Sequence, residues 1–218
     1  MLLCGKNKNG ELGLGDTLDR KAITEESVLF GSGNTALAAS SLQAIAYGAC
    51  HSLSLRGGTV FATGRNEAGQ LGLTDTNDRV TQTAVFANLD GKAVTAISCG
   101  EHFSGALTDN GELYLFGRNT NGQLGDGTTI DRSTPTLVGG GHHFIAFALG
   151  AHHCIAVNRF PPRICLGCRS RRTTRFGEFD NCKPVGSNRG QVSQRQKDCC
   201  CLALYGISRW PHARPAVH

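Results

Sequence analysis

The sequence has no apolar run that approaches the roughly 20 residues needed to cross a bilayer. Its first residues, MLLCGKNKNG, lack the length and order of a secretory signal peptide. No stretch keeps an apolar period of 3.6 residues, which argues against long amphipathic helices. We therefore expect an intracellular protein, cytoplasmic or nuclear, with no membrane partner. In that reducing environment the ten cysteines remain thiols.

Chemical motifs are equally scarce. The glycine-rich segments that end at Gly13, Gly72 and Gly125 are not followed by the lysine and Ser/Thr that a phosphate-binding P-loop requires. No serine stands in a nucleophile elbow, and no nucleophile, base and acid form a recognisable set. The sequence thus predicts a protein that is not an enzyme, with no catalytic residue, no cofactor and no metal site.

Charge is unevenly distributed along the chain. Residues 1–158 carry 10 Lys and Arg against 14 Asp and Glu, whereas residues 159–218 carry 12 against 3. The second segment also holds six of the ten cysteines. This change of composition predicts a domain boundary near residue 158. The acidic first part makes nucleic acid an unlikely partner for that part of the chain.

The first segment is internally repeated. Three stretches read G-x-N-x-x-G-x-L-G, and an Asp-Arg pair starts 14 residues after each leading glycine. The leading glycines are Gly5, Gly64 and Gly117, and the pairs are Asp19-Arg20, Asp78-Arg79 and Asp131-Arg132. A second motif, a glycine followed by a short apolar segment, recurs at Gly48, Gly100 and Gly150. A period of this length is typical of repeat architectures.

Each unit has the pattern of a small antiparallel sheet. Short apolar runs such as Val60–Thr63 and Leu113–Phe116 predict strands. The glycine and asparagine clusters between them supply turns with positive φ. A unit of about four strands resembles a propeller blade, which must bury its faces against neighbouring blades.

The two motifs resemble the RCC1 (regulator of chromosome condensation) repeat family. The resemblance rests on GRNTNGQLGDGTTIDRSTPTLV and ISCGEHFSGALTDNGELYLFG, and it covers residues 1–158. It implies an all-β fold, an incomplete RCC1-like β-propeller with about three of the family's seven blades. The family's tryptophan before the leading glycine is replaced by Cys4, Thr63 and Phe116. A kelch propeller has a similar period, but its double glycine and spaced Tyr and Trp are not repeated here.

We interpret the repeated residues as structural. The glycines set turns, each aspartate of the Asp-Arg pairs caps a turn, and each arginine pairs locally. The histidines recur once per blade, so each is expected to hydrogen-bond inside its own blade rather than converge on a metal. These are His51, His102, His152 and His153. Cys50, Cys99 and Cys154 are expected to be buried thiols.

Two functions follow from the resemblance. The first is a non-catalytic scaffold that binds other proteins through loops on one face of the ring. The alternative is the activity of the family's namesake, guanine-nucleotide exchange on a Ran-type GTPase at chromatin. Nothing in residues 1–158 selects the alternative, so other proteins, among them a small GTPase, are the expected partners.

The basic segment 159–218 has two interpretations. Cys165-x-x-Cys168 beside several arginines is compatible with a zinc-binding, nucleic-acid-binding tail, but the lone Cys182 and the consecutive Cys199–Cys201 do not supply a second ligand pair. If the codons from Ile164 onward are read one base further along the DNA, they can encode Y-V-W-G followed by GQLGLG. This motif would stand at the position where the next repeat is expected. We therefore expect an out-of-frame, poorly ordered tail and a truncated product. A ring of three blades would leave blade faces exposed and the fold marginal.

Overall fold

The computed structural model describes residues 2–25, 42–139, 142–158 and 164–166. All of them belong to one compact unit, Met1–Cys182, and the second unit, Lys183–His218, lies outside the described residues. The described residues form thirteen strands and no helix, so they contain no helix that could cross a membrane. Of the tail that we expected to be poorly ordered, only residues 164–166 are described, and they form a strand that pairs with residues 154–157, contrary to that expectation. The other tail residues lie outside the described part of the chain.

The strands form four antiparallel sheets in chain order. Sheet N contains β1 (Leu2–Gly5) and β2 (Arg20–Glu25). Blade A contains β3 (Leu42–Tyr47), β4 (His51–Arg56), β5 (Thr59–Gly64) and β6 (Arg79–Ala84). Blade B contains β7 (Val94–Cys99), β8 (Phe103–Thr108), β9 (Leu113–Gly117) and β10 (Arg132–Val138). Sheet C contains β11 (Phe144–Leu149), β12 (Cys154–Asn158) and β13 (Ile164–Leu166).

Turn chemistry sets the register within each blade. Gly57 and Gly58 connect β4 to β5, and both have positive φ, 54° and 79°, as a two-residue hairpin turn that matches strand twist requires. The pairing that results places His51 opposite Gly64 in blade A. In blade B, where a longer loop joins β8 to β9, Phe103 lies opposite Gly117. The runs predicted as strands, Val60–Thr63 and Leu113–Phe116, lie within β5 and β9 and are confirmed.

The core lies between the blades. One cluster of buried side chains joins Leu53 and Leu55 of blade A to Tyr114 and Phe116 of blade B. A second joins Phe103 and other side chains of blade B to Phe144 and Ala156 of sheet C. Blade A, blade B and sheet C therefore bury the apolar sides that face one another, as the prediction of a stacked repeat requires. The all-β, propeller-type architecture is confirmed for the described residues.

Candidate functional site

Each long loop after a leading glycine is organised by a fully buried asparagine. In blade A, Asn66 Nδ2 donates to the Asp75 carbonyl at 2.9 Å, and Asn66 Oδ1 accepts from the Leu71 amide at 2.9 Å. Asn7 and Asn119 make the corresponding bonds in the other two loops. The asparagine side chain thus replaces the main-chain partners that a loop lacks. The sequence motif contained this asparagine, but its specific role was not predicted.

The Asp-Arg pairs act within their own loops. Asp78 Oδ1 accepts a hydrogen bond from the Asn66 amide at 2.8 Å, and Arg79 forms an ion pair with Asp75 at 2.6 Å. The equivalent bonds recur at Asp19, Arg20, Asp131 and Arg132. In the first loop the hydrogen bond from Arg20 lowers the pKa of Asp16. The prediction that the arginine pairs locally is confirmed. The prediction that the paired aspartate caps a turn is wrong: Asp78 closes the loop by its bond to Asn66, and the turn is capped by Asp75, whose Oδ1 accepts from the Asn77 amide at 2.8 Å.

The loop glycines bring each loop against the next blade. Gly10 and Gly69 have φ of 80° and 78°, and a Cβ on Gly69 would lie 2.4 Å from Ser133 Cα in β10. Main-chain carbonyls of the loops accept bonds from the next blade: Ser52 Oγ donates to Glu11 O, and Ser104 Oγ donates to Gln70 O, both at 2.7 Å. The glycines are therefore turn residues, as predicted, and the loops join adjacent blades.

The predicted hydrogen bond of each histidine inside its own blade is wrong for two of the four. His51 Nε2 lies 2.9 Å from Ser104 Oγ, so this bond runs from β4 to β8 in the next blade. His152 Nε2 lies 3.0 Å from Glu101 Oε2, which belongs to the preceding blade. The reason is that the turn between the first two strands of a blade lies at the boundary between blades. His102 Nε2 lies 3.7 Å from Glu101 Oε1 of its own turn, which is too long for a hydrogen bond.

His153 has a different environment. A Cβ placed on Gly150 would lie 2.2 Å from Cε1 of its ring, so the ring occupies the space above that glycine. The Gly48–His51 and Gly100–Phe103 pairs have the same arrangement. A glycine three residues before the ring is therefore a packing requirement of the second motif.

The burial of these side chains shifts their titration. Burial lowers the pKa of His51 to about 4, and His102 adds to this effect, so the imidazole is neutral near pH 7. Burial raises the pKa of the Cys99 thiol to about 12. Cys154 is buried as predicted, whereas Cys50 and Cys99 are only partly buried as whole residues. The Cys99 thiol itself contacts Ser104 and Leu53, and a thiol with so high a pKa is a poor nucleophile.

Charged side chains collect where the turns of successive blades meet. The Ala49 amide donates to Glu101 O at 3.2 Å, and the Glu101 amide donates to Ala151 O at 3.1 Å, so these turns form a continuous strip. Glu67 pairs with Arg65 and, at 3.4 Å, with Arg118. We call this surface the charged rim. It consists of Arg65, Glu67, Glu101, His102, Arg118 and His152.

A second charged surface lies at β1. An open cleft of 610 Å³ is lined by four cations and one carboxylate. We call it the basic cleft; its lining residues are Cys4, Gly5, Lys6, Lys8, Asp19, Arg20 and Lys21. Sequence analysis did not find it, although the signal was present: the position occupied by Glu67 in the second loop is Lys8 in the first.

Across the described ranges, no three side chains of His, Cys, Asp or Glu lie close enough together to hold a metal ion. The most strongly perturbed imidazole, His51, is buried between blades and inaccessible to a substrate.

The chain matches the family described as Regulator of chromosome condensation (RCC1) repeat at residues 57–107 and 110–157, and a second model of the same repeat at 94–123. It is 34% identical over 205 residues to the human Probable E3 ubiquitin-protein ligase HERC3. The matched region is 88% of this chain and 18% of that relative. It is 34% identical over 155 residues to the Ultraviolet-B receptor UVR8 of Arabidopsis thaliana, covering 70% of this chain and 34% of that relative.

Among solved structures, Prp20p from Saccharomyces cerevisiae gives a TM-score of 0.58 at 21% identity, over 77% of this chain and 40% of that one. Human WBSCR16 gives a TM-score of 0.60 at 21% identity, over 71% and 39%. At these identities the structures show the fold alone. The chain spans no more than about a third of the length of the curated relatives named above.

Proposed function

Residues 57–157 are a segment of RCC1 repeats, and from that premise we propose that this protein is a non-catalytic intracellular scaffold that binds other proteins through the charged rim. The observation that carries the proposal is the meeting of charged side chains from successive blades on one strip, Glu101 with His152 and Glu67 with Arg118. Surfaces built from adjoining repeats are the usual binding sites of repeat proteins.

The names of the relatives support a binding role. They include a ubiquitin ligase, an ultraviolet-B receptor and the human X-linked retinitis pigmentosa GTPase regulator, so the repeat accompanies different whole-protein activities. Those activities belong to relatives of which this chain spans 12% to 34%. A module shared among them is more consistent with binding than with one conserved reaction.

Reversal of an ion pair on the rim tests the proposal. The double variant Glu67→Lys with Arg118→Glu keeps the net charge but reverses the polarity of the rim, and we expect it to recover severalfold less of the partners that co-purify with the wild-type protein from cells. The matched control, Lys92→Glu with Glu112→Lys, reverses an ion pair outside the rim. Equal recovery of partners with all three proteins would show that the rim does not bind them.

Nucleotide exchange on a Ran-type GTPase is the second candidate. The structure of Prp20p, a fold neighbour, is described together with its binding to Gsp1p and histones. Release of labelled GDP from a Ran-type GTPase, with and without the protein, distinguishes the two functions. The scaffold proposal expects no acceleration at micromolar protein. A stimulated release that the rim reversal abolishes would favour exchange activity instead.

A further inference from the structure

Two arginines of successive loops meet at one carboxylate in the charged rim. Glu67 pairs with Arg65 of its own loop and, at 3.4 Å, with Arg118 of the next loop. The three side chains are between 34% and 42% exposed, so the cluster faces solvent. One carboxylate against two guanidinium groups leaves one positive charge in excess at this point of the rim.

The main chain holds both arginines in equivalent places. The Arg65 amide donates to Cys50 O at 2.8 Å, and the Arg118 amide donates to His102 O at 2.9 Å. Each arginine therefore begins at a backbone position that is fixed against the turn of its own blade. Binding groups that start from rigid strand ends are held in a better-defined geometry than groups on free loops.

The carboxylate of this cluster is not required by the repeat. The position of Glu67 is occupied by Lys8 in the first loop and by Thr120 in the third. Both of those loops form the same hydrogen bonds around their buried asparagine as the second loop does. Exposed ion pairs also contribute little to stability. Glu67 thus occupies the arginine pair without being needed for the fold of its loop.

A neutral histidine lies beside the arginine pair. The His102 side chain is only 14% exposed, and the charges of Arg118, Glu101, Glu67 and Arg65 all act on its ring. Burial, followed by the charge of Arg118, lowers the pKa of His102, so the ring is neutral near pH 7. The positive charge at this place therefore comes from the arginines, and Glu101 limits how far an acidic ligand extends beyond them.

We propose that Arg65 and Arg118 bind two carboxylates of an extended segment of a partner protein, and that Glu67 occupies their site in the free protein. This inference rests on the proposed scaffold function and names the chemistry of the partner at the charged rim. A guanidinium group binds a carboxylate through two parallel N–H donors. Because the exposed ion pairs of Glu67 are weak, a partner displaces it at little cost.

The separation of the two arginines predicts the spacing of the acidic residues. Both guanidinium groups reach the same carboxylate, so they lie close together. In an extended chain, alternate side chains point to the same side about 6.6 Å apart, and adjacent side chains point to opposite sides. We therefore expect two acidic residues separated by one uncharged residue, rather than two adjacent acidic residues.

Fluorescence anisotropy of the full-length protein with the labelled peptide Thr-Val-Glu-Thr-Glu-Val-Thr measures this binding. The isomer Thr-Val-Glu-Glu-Thr-Val-Thr has the same composition and charge, and we expect it to bind at least about threefold more weakly. General attraction to the basic segment 159–218 affects both peptides equally. Equal affinity of the two peptides, or no binding of either, would overturn the proposal.

Two variants test the site by opposite effects. Glu67→Gln frees the arginines and is expected to tighten binding at least about threefold, a gain that loss of structure cannot produce. Arg118→Gln should weaken binding by a similar factor. The matched controls Glu112→Gln and Lys92→Gln make the same changes of charge in an ion pair outside the rim, and they should leave the affinity unchanged. Unchanged or weaker binding by Glu67→Gln would show that Glu67 does not occupy the partner's site.

The result is separable from the test of the scaffold function. If the rim reversal loses cellular partners but the purified protein does not distinguish the two peptides, the rim binds another chemistry and only this inference fails. If the peptide binds as expected but the reversal retains all cellular partners, the scaffold role of the rim fails instead. A phosphopeptide or a single-stranded oligonucleotide that displaces the peptide at lower concentration than unlabelled peptide does would reassign the site.

Discussion

At the scale of single residues, a buried hydrogen-bond relay joins two blades. Ser104 Oγ donates its only proton to Gln70 O, so His51 Nε2 must carry a proton and donate to Ser104 Oγ. His51 Nδ1 is then the bare nitrogen of the ring, and it is buried without a hydrogen-bond partner in the described structure. A charged imidazole would carry a second N–H at this buried nitrogen, and burial disfavours the added charge.

This relay predicts a pH-dependent stability. The folded pKa of His51, about 4, lies below its unfolded value of 6.5, so the unfolded chain binds more protons between these values. The contribution of neutral His51 to the free energy of unfolding is complete above pH 6.5. It is lost as the pH falls toward 4, by on the order of 3 kcal/mol. Urea denaturation at pH 7 and pH 5 should show about 2 kcal/mol of this loss, because pH 5 lies above the folded pKa.

His51→Phe is the matched control, because Phe103 occupies the same position in blade B above its own glycine. The variant should lose much of the difference in stability between pH 7 and pH 5. An equal pH dependence in the variant and the wild type would mean that other groups cause it.

The buried asparagine of each loop predicts a second residue-scale effect. Asn66→Ala removes an acceptor from the Leu71 amide and a donor from the Asp75 carbonyl, and it leaves a buried amide unpaired. We expect the free energy of unfolding to fall by about 2–4 kcal/mol. Asn77→Ala, in the same loop but exposed, should change it by less than about 0.5 kcal/mol. Similar losses in both variants would contradict the role of Asn66.

At the scale of elements, the loop that joins blades A and B predicts unequal effects for two glycines. Gly69 and Gly91 both have positive φ, 78° and 71°, so alanine is strained at either position. Only Gly69 faces a neighbouring backbone, since nothing lies within 4 Å of a Cβ on Gly91. Gly91→Ala should cost about 1–2 kcal/mol. Gly69→Ala should cost at least about 2 kcal/mol more, because it also displaces β10.

Denaturant midpoints of the two variants give this comparison directly. Equal costs would indicate that the loop does not hold the blades together.

The strands themselves could be predicted from the local sequence pattern, because alternation and turn residues act over a few positions. The contact of Gly69 with Ser133 could not be inferred in this way, since the residues are 64 positions apart and meet only when blades stack.

At the scale of the molecule, the described residues of blade A have one exposed flank. Strand β7 contacts β3 and β4 of blade A, and β11 contacts β7 and β8 of blade B. β3 exposes the apolar side chains of Leu42, Ile45 and Tyr47. Exposed apolar residues on an inner strand favour association.

We therefore predict that the 218-residue protein self-associates and melts over a broad range. Ile45→Lys with Tyr47→Lys should reduce the sedimenting oligomer, whereas Ile130→Lys, at an exposed loop position of blade B, should not. Sedimentation velocity and calorimetry measure both properties. A monomer with a sharp, cooperative melt would contradict the prediction.

Segment 159–218 carries a prediction at the level of the gene. If it is out of frame, the transcript read one base further on after about residue 160 should encode Y-V-W-G followed by GQLGLG. Sequencing of the locus and the transcript decides this. Bases that cannot be read in that way would end the frameshift proposal.

The end of segment 159–218 shows how far along the gene the sequencing must extend. CCCLALYG at 199–206 follows the pattern of CHSLSLRG at 50–57. Cys199 comes 47 residues after His152, close to the 50 and 52 that separate His152, His102 and Cys50. The match to HERC3 covers 88% of the chain, more than residues 1–158 contain, and so extends past that boundary. We infer that the original frame returns before Cys199, which the same sequencing would show as a second shift.

The sequence by itself determined the blades of this protein: the strand positions, the turn glycines and the Asp-Arg pairs are all specified by contacts between residues close in the chain, as in Asp75 with Arg79. The tertiary structure alone decided which side chains meet across blades. It paired His51 with Ser104 and Glu101 with His152. The physical reason is that the repeat period in the sequence predicts that blades stack. Which atoms come together across blades depends on burial and on the geometry of the stacking.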